Sequence, residues 1–176
     1  MCIISCATPL QMSVQGNESL FRSHKIAVVM TFEDVSQPVG KTDEERQAYK
    51  DTLALVCRTF TDGIVKEVQR YRLYSSVVKD LQTPSDSAII ISGAIRKYDK
   101  GNVSLRNLIG LGAGSSYFHA TINFTDSKSG KIIGTISNNG TSWVGGGVIA
   151  ASQTVEVLMQ EAANHVASEL WRIKNN

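Results

Sequence analysis

The sequence predicts an α+β domain of two layers, in which a mostly antiparallel sheet of about four to six strands carries a long first helix and a C-terminal helix. Two observations support this prediction. Apolar residues recur at every third or fourth position between residues 43 and 71 and again between 152 and 173, which is the spacing of helices with one buried face. Residues 117–137 alternate between apolar and polar side chains, as the strands of a hairpin do.

The length and composition fit one folded domain. The 176 residues are 42% hydrophobic and 19% charged, and only three of them are proline. A chain of this size buries a core without help from metals or disulfides, and this composition excludes an intrinsically disordered or proline-rich protein. The sequence shows no internal repeat and no apolar run long enough to span a membrane as a helix.

The charge of the chain is nearly balanced. Lysine and arginine together number 18 against 16 aspartate and glutamate residues, which gives a net charge of +2. A protein that binds nucleic acid through its phosphates carries a clustered surplus of cations. We therefore expect no nucleic-acid partner.

The first half of the chain predicts a strand followed by a long helix. Residues 24–32 form a short apolar run rich in β-branched side chains, which is typical of a buried strand. Thr42 stands three residues before Glu45, as in a capping box, so we expect the helix to begin there and to end near Tyr71. Its apolar stripe consists of Tyr49, Leu53, Val56, Phe60, Ile64 and Val68.

Strands are expected in the middle of the chain. Residues 72–79 are compatible with a strand or with a last helical turn, and we favour the strand. Residues 88–98 begin as a continuous apolar run and end in alternation, which predicts a central strand that emerges towards solvent. The hairpin turns at about residues 127–130, and the apolar face of its first strand consists of Phe118, Ala120, Ile122 and Phe124.

Two of the three cysteines have no predicted function. Three thiols do not make a disulfide framework, and the three histidines are scattered without the spacing of zinc ligands. Cys57 lies at the edge of the apolar stripe of the long helix, so we interpret its thiol as buried and unreactive. Cys2 belongs to a discarded signal in this interpretation, and we expect neither a metal nor a cofactor.

Cys6 lies in a different context. The order Ile3, Ile4, Ser5, Cys6 resembles the lipobox of bacterial lipoproteins, in which the signal peptide is cut before the cysteine and the thiol is then lipidated. Five residues precede Cys6, fewer than the basic and apolar regions of a signal peptide require. Either the chain starts late or the match is accidental, and we favour a truncated lipoprotein precursor.

The lipoprotein resemblance implies a division of the chain and an address. Residues 1–22 would hold the remainder of the signal, the lipobox and a polar tether, and residues 23–176 would form a single α+β domain. The resemblance implies a membrane partner, reached through a lipid anchor at Cys6. Ala7 follows the cysteine, which resembles the pattern of lipoproteins directed to the outer membrane, so we expect the periplasmic face of that membrane.

Glycine is concentrated in two segments, residues 106–116 and residues 145–147. The first is not a dinucleotide-binding fingerprint, because its third glycine comes one residue early and a strand follows it in place of a helix. Either these glycines provide special backbone geometry, which we favour, or their small size lets another subunit or a bilayer approach closely. The candidate interface residues are Arg106, Gly110, Gly112, Gly114, Gly145, Gly146 and Gly147.

The order of these features resembles an uncharacterised family of bacterial lipoproteins, which carries a domain of unknown function. The resemblance covers about residues 25–170 and implies no established activity. More remotely, the arrangement of strands and helix is similar to periplasmic modules of the curli-secretion-channel type, which are lipoproteins that assemble in the outer membrane. The residues that carry the family resemblance are Ile91, Gly93, Ile95, Gly101, Asn102, Arg106, Asp126, Gly130 and Lys131, with the two glycine segments.

No combination of residues predicts catalysis. The sequence has no nucleophile elbow, His119 falls on the polar face of the hairpin, and His165 lies near the apolar stripe of the last helix. We therefore predict a non-enzymatic lipoprotein that acts as a binding or assembly module of an envelope complex. Its expected partners are other proteins or copies of itself.

Two alternatives to this function stay open. The chain could be a soluble binder of a small ligand, or an enzyme, with a pocket near Arg106 and residues 110–114. It could also be a subunit of an oligomeric membrane pore, in which the hairpin inserts into a bilayer. The residues facing lipid would then be Phe118, Ala120, Ile122 and Phe124.

Overall fold

The computed structural model describes residues 12–14, 18–81, 87–101, 114–141 and 154–175. Three helices lie within these ranges: α1 (Ser19–Ser23), α2 (Asp43–Arg70) and α3 (Val155–Asn175). The strands in the same ranges are β1 (Ser13–Val14), β2 (Ile26–Val29), β3 (Glu33–Asp34), β4 (Ser76–Lys79), β5 (Ala88–Asp99), β6 (Tyr117–Asp126) and β7 (Ile132–Thr141).

All of these strands belong to one mixed sheet with the order β1-β7-β6-β5-β2-β4, and β3 pairs with β5 beyond the end of β2. The neighbours β1, β7, β6 and β5 are antiparallel, whereas β2 runs parallel to both β4 and β5. α2 lies between β2 and β4 in the chain and provides the crossover that a parallel pair requires. The predicted α+β class is confirmed, with parallel pairs at one side of the sheet.

The long helix begins as predicted. The hydroxyl of Thr42 accepts a hydrogen bond from the backbone N–H of Glu45 at 3.2 Å, and the Glu45 carboxylate accepts one from the N–H of Thr42 at 3.3 Å. These two bonds form the expected capping box. The helix ends at Arg70, one residue before the predicted Tyr71, and the favoured strand within residues 72–79 is present as β4.

Both long helices pack on the same face of the sheet, so the two-layer arrangement is confirmed. The ring of Phe60 in α2 lies 4.9 Å from the ring of Phe32 and 4.8 Å from that of Phe118. The two helices approach each other at Gly63, where an added β-carbon would lie 3.5 Å from the Cβ of Ala163. No helix in the described ranges combines the length and apolar character needed to cross a membrane.

The hairpin has the predicted faces, but its apolar face lies inside the protein. Phe118, Ala120, Ile122 and Phe124 are all 0% exposed, and they belong to the core between the sheet and the helices. The alternative of a pore subunit placed these four side chains against lipid, and this placement is wrong for the observed fold. Exposing them to a bilayer would require the removal of both long helices from the sheet.

The folded domain begins earlier than residue 23, so the predicted boundary is corrected. Met12 is buried, and its N–H donates to the carboxylate of Glu169 at 3.1 Å. Phe21 is 0% exposed. Both side chains fill the space over Gly134, where an added β-carbon would lie 2.9 Å from Phe21 and 3.0 Å from Met12. Residues 12–14 and 18–22 therefore belong to the domain, not to a tether.

The two ends of the sheet carry different elements. β5 runs from Ala88 to Asp99, about 36 Å at roughly 3.3 Å per residue. The Ala88 end carries the β6–β7 turn, α1 and the last turn of α3, since Ser127 N–H donates to Ala88 and Lys174 donates to Phe21. The Asp99 end carries the N-terminal parts of α2 and α3.

Candidate functional site

Most of the predicted site residues lie outside the described residues. This applies to Cys6, Arg106, Gly110 and Gly112, and to Gly145, Gly146 and Gly147. Gly114 is described, and so are the residues that flank both glycine-rich segments. The positions of these flanking residues locate the base of each segment on the fold.

Both segments are anchored at the Asp99 end. Residues 102–113 connect Gly101 to Gly114, and these two glycines are in contact, because a β-carbon on Gly101 would lie 2.3 Å from the carbonyl oxygen of Gly114. Residues 142–153 connect Thr141, which pairs with Tyr117, to the start of α3. The sequence therefore indicated two glycine-rich segments that the fold brings to one end of the domain.

The base of the first segment requires glycine. Gly101 has a φ of +68° and Gly114 a φ of +71°, which side chains with a β-carbon rarely adopt. The Asp99 carboxylate accepts a hydrogen bond from the N–H of Gly101 at 2.8 Å, and the Ser116 hydroxyl donates to the carbonyl of Lys100 at 2.6 Å. At Gly114 the favoured interpretation, special backbone geometry, is confirmed.

A groove opens between α2 and α3 at the Asp99 end. It has a volume of about 340 Å³, and its lining is mainly apolar, with Val56, Phe60 and Met159 among the contributing side chains. Lys100 and Glu156 contribute the charged part of its wall. An apolar groove of this kind suits a side chain or a helix of another protein, or a small apolar ligand.

A second cavity of about 640 Å³ adjoins the groove and shares Thr52, Tyr98 and Lys100 with it. Its lining is also mainly apolar, but it includes the cationic residues Arg96 and Lys97. The hydroxyl of Tyr49 donates to the carbonyl of Tyr98 at 3.2 Å, which joins α2 to β5 between the two cavities. Three cationic residues therefore line the second cavity: Arg96, Lys97 and Lys100.

The same end of the sheet carries a cluster of cations and aromatic rings on the face that points away from the helices. The ammonium group of Lys97 lies 3.8 Å from the centre of the Tyr117 ring, and Arg96 donates to Asn139 at 2.8 Å. Burial, followed by the charges of Lys97 and Arg96, lowers the pKa of His119. The contacts with Tyr117 and Asn139 therefore hold both cations against the outer face of the sheet.

The structure also brings together a polar cluster that sequence reasoning missed. The Nδ1 atom of His24 lies 2.6 Å from the Ser87 hydroxyl, and its Nε2 atom lies 3.2 Å from the Asp126 carboxylate. These residue types occur in hydrolases, but His24 is only 2% exposed, so a substrate cannot reach its ring. The cluster connects the starts of β2 and β5 with the end of β6. Its three residues are far apart in the sequence, so no local motif reveals it.

Acidification is expected to weaken the fold through His24. Burial has the largest effect and lowers the pKa of His24, although the charge of Asp126 acts in the opposite direction. The unfolded chain then binds the proton first, so stability falls as the pH drops below about 6.5. Urea unfolding should give a smaller free energy at about pH 5.5 than at about pH 7.5, and His24→Gln should reduce that difference.

A matched variant completes the pH experiment. The pKa of His119 is lowered too, so His119→Gln should remove a second part of the same pH dependence. If stability did not change with pH in the unsubstituted protein, or if neither variant altered the dependence, the lowered pKa values of His24 and His119 would be wrong.

Of the three cysteines, Cys57 is the one that the structure describes. Cys57 is 4% exposed, and burial, followed by the charge of Asp34, raises the pKa of its thiol to about 11. The predicted burial of Cys57 is confirmed, and the raised pKa disfavours the thiolate form that would react. Among the residues that the structure describes, no group of His, Cys, Asp and Glu side chains is arranged to hold a metal ion.

Comparison with solved structures gives the relatives of this fold. The chain is similar to a PelC variant dodecamer from Paraburkholderia phytofirmans, with 14% identity over 91% of this chain and 97% of that chain and a TM-score of 0.56. A second PelC dodecamer from that organism gives 12% identity, coverages of 88% and 96%, and a TM-score of 0.51. A Xanthomonas campestris protein of the DUF330 family is 10% identical, over 91% of this chain and 90% of that chain, with a TM-score of 0.48.

Comparison at the level of sequence gives the family. No curated protein matches the chain. The family model described as "Domain of unknown function (DUF4410)" matches residues 12–146, from the buried Met12 to the second glycine-rich segment. The match covers about three quarters of the chain and agrees with the expectation of an uncharacterised domain family. The chain therefore belongs to the DUF4410 family, a domain of unknown function.

Proposed function

We propose that the protein is a non-enzymatic module of the bacterial cell envelope, anchored by a lipid at Cys6, which assembles with copies of itself into a closed homo-oligomer. The observation that carries this proposal is the fold. It matches that of PelC dodecamers over nearly the full length of both chains. Closed rings form when one surface of a subunit binds a different surface of the next subunit.

The Asp99 end supplies the surface for this assembly. It carries the apolar groove and the bases of both glycine-rich segments. Four exposed apolar side chains lie in the elements that meet at this end: Val35, Val39, Leu55 and Val157. Leu55 is 65% exposed and contributes to the groove. A group of apolar side chains next to a groove is typical of a protein interface.

A variant in the groove tests this surface. Leu55→Glu places a charge in the apolar groove and should shift the protein from oligomer to protomer in mass photometry. Ile132→Glu is the matched control, because Ile132 is 44% exposed at the opposite end of the sheet. An oligomer that survives Leu55→Glu and dissociates with Ile132→Glu would exclude the Asp99 end as the contact.

The lipid anchor has its own test. Protein isolated from bacterial membranes should incorporate radiolabelled palmitate, and its intact mass should exceed that of the chain from Cys6 onward by the mass of the acyl chains and glycerol. Cys6→Ser should abolish the label, whereas Cys57→Ser should keep it, because the Cys57 thiol is buried. An unlabelled protein with a free Cys6 would contradict the anchor.

The second cavity supports a second candidate function, the binding of a small anionic ligand. Arg96, Lys97 and Lys100 are the cationic residues among those that line this space of about 640 Å³. A small dicarboxylate or phosphate ester should then raise the melting temperature, and Lys97→Gln should reduce this shift. An equal shift in the variant would assign the effect to another part of the protein.

A further inference from the structure

The Ala88 end carries a surplus of exposed cations. Three carboxylates at this end are each ion-paired with an arginine three or four residues away, as Glu18 is with Arg22, Glu67 with Arg70 and Glu169 with Arg172. Asp126 is occupied by His24 and Ser129. Four further exposed cations have no ion-pair partner among the described residues: Lys25, Arg72, Lys128 and Lys131.

Large apolar side chains are exposed at the same end. Trp171 in the last turns of α3 is 49% exposed, Ile132 beside the β6–β7 turn is 44% exposed, and Leu20 in α1 is 36% exposed. Tryptophan combines an apolar body with a polar N–H, which suits the boundary between lipid and water. Exposed cations at the same end of the domain as an exposed tryptophan favour a surface of anionic headgroups.

The chain that leads to Cys6 limits where a membrane can lie. Six residue steps separate Cys6 from Met12, which span at most about 20 Å when fully extended. Met12 is bound to Glu169, two residues before Trp171. If Cys6 carries the proposed lipid, the bilayer surface therefore lies within about 20 Å of Met12. The cations of the Ala88 end then determine which side of the domain faces that bilayer.

We propose that the Ala88 end is a membrane-docking surface, which rests on a bilayer containing anionic phospholipids. Lys25, Arg72, Lys128 and Lys131 contact the headgroups, and Trp171 enters the interfacial region. This proposal adds an orientation to the lipid anchor on which it rests. β5 then stands away from the membrane, and the Asp99 end, about 36 Å further out at roughly 3.3 Å per residue, presents its groove to other subunits.

Vesicle binding by the full chain without its lipid tests the proposal. The Cys6→Ser chain should co-sediment with vesicles of equal phosphatidylglycerol and phosphatidylethanolamine, and not with phosphatidylcholine vesicles. Added salt should weaken this binding, because it screens exposed charges. The double variant Lys25→Glu with Arg72→Glu should lower the affinity by about tenfold or more. The matched variant at the Asp99 end, Lys41→Glu with Lys50→Glu, replaces exposed lysines that line neither cavity and should change it by less than about twofold.

Fluorescence provides a second readout of the orientation. The chain contains two tryptophans, so Trp143→Phe leaves Trp171 as the only indole. Emission from Trp171 should shift to shorter wavelength when phosphatidylglycerol vesicles are added, because the indole leaves water. Far-UV circular dichroism of every variant establishes that the fold is retained.

The outcomes separate this inference from the proposed function. A chain that is labelled with palmitate at Cys6 but, without the lipid, binds no anionic vesicles would overturn the docking surface and leave the anchor intact. Equal loss of binding in the two double variants would overturn it as well, since the cations of the Ala88 end would then have no special role. An unchanged Trp171 emission on bound vesicles would exclude the proposed orientation.

Discussion

Replacing Phe60 with alanine is expected to lower the free energy of unfolding by about 3–5 kcal/mol. Phe60 is 2% exposed and lies between the sheet and α2. Its ring makes edge contacts with Phe32, next to β3, and with Phe118 in β6, so the substitution opens a cavity where the two layers meet. Urea unfolding followed by circular dichroism measures the loss.

The variant Phe60→Leu provides the control for this prediction. Leucine keeps most of the buried volume and should therefore cost less than alanine. If Phe60→Ala lost less than about 1 kcal/mol, the ring would not occupy the centre of the core.

Replacing Gly93 with alanine is the second substitution with a large expected effect. An added β-carbon would lie 2.0 Å from the carbonyl oxygen of Thr121 and 2.8 Å from the ring of Phe32. Gly93 pairs with Ile122 in the middle of the sheet, so the backbone cannot move away without breaking the ladder between β5 and β6. We expect a loss of about 3 kcal/mol in urea unfolding, at the upper end of what overpacking costs.

Gly130→Ala is the matched control for Gly93→Ala. Gly130 has a φ of +67°, but an added β-carbon would meet no atom within 4 Å. Only the strained backbone opposes alanine there, at a cost of about 1 kcal/mol. Equal losses in the two variants would mean that the contact of β5 with Thr121 is looser than the structure shows.

The long elements of this fold can be predicted from the sequence because each one has a local signal. The capping box at Thr42 marks the start of α2, and the alternation from Phe118 to Phe124 marks β6. β1 and β3 have two residues each, which is too short for a periodicity to develop. The parallel pairing of β2 with β5 depends on how distant segments pack, and no local pattern reports it.

The start of the domain was missed for a related reason. Residues 7–22 are mainly polar, so the sequence favours a tether there. Met12 and Phe21 are nevertheless buried, and they fill the space that Gly134 leaves open more than 110 positions later in the chain. A few apolar residues that meet a distant glycine leave no trace in the composition of a short segment.

The candidate site could be predicted only in part. Composition indicates the two glycine-rich segments, but only the fold places both of them at the Asp99 end, beside a groove formed by α2 and α3. The contact of His24 with Ser87 and Asp126 joins three strands and has no sequence signature. The basic Ala88 end escapes detection as well, because the chain as a whole is nearly neutral.

The mass of the assembled protein tests the proposed function most directly. Mass photometry of the unsubstituted chain, extracted from bacterial membranes in detergent, should give a discrete particle at a multiple of the protomer mass of 19.1 kDa, with no gradual series of sizes. A fixed multiple that persists on dilution would support a closed homo-oligomer. A particle at the protomer mass at every concentration would contradict it.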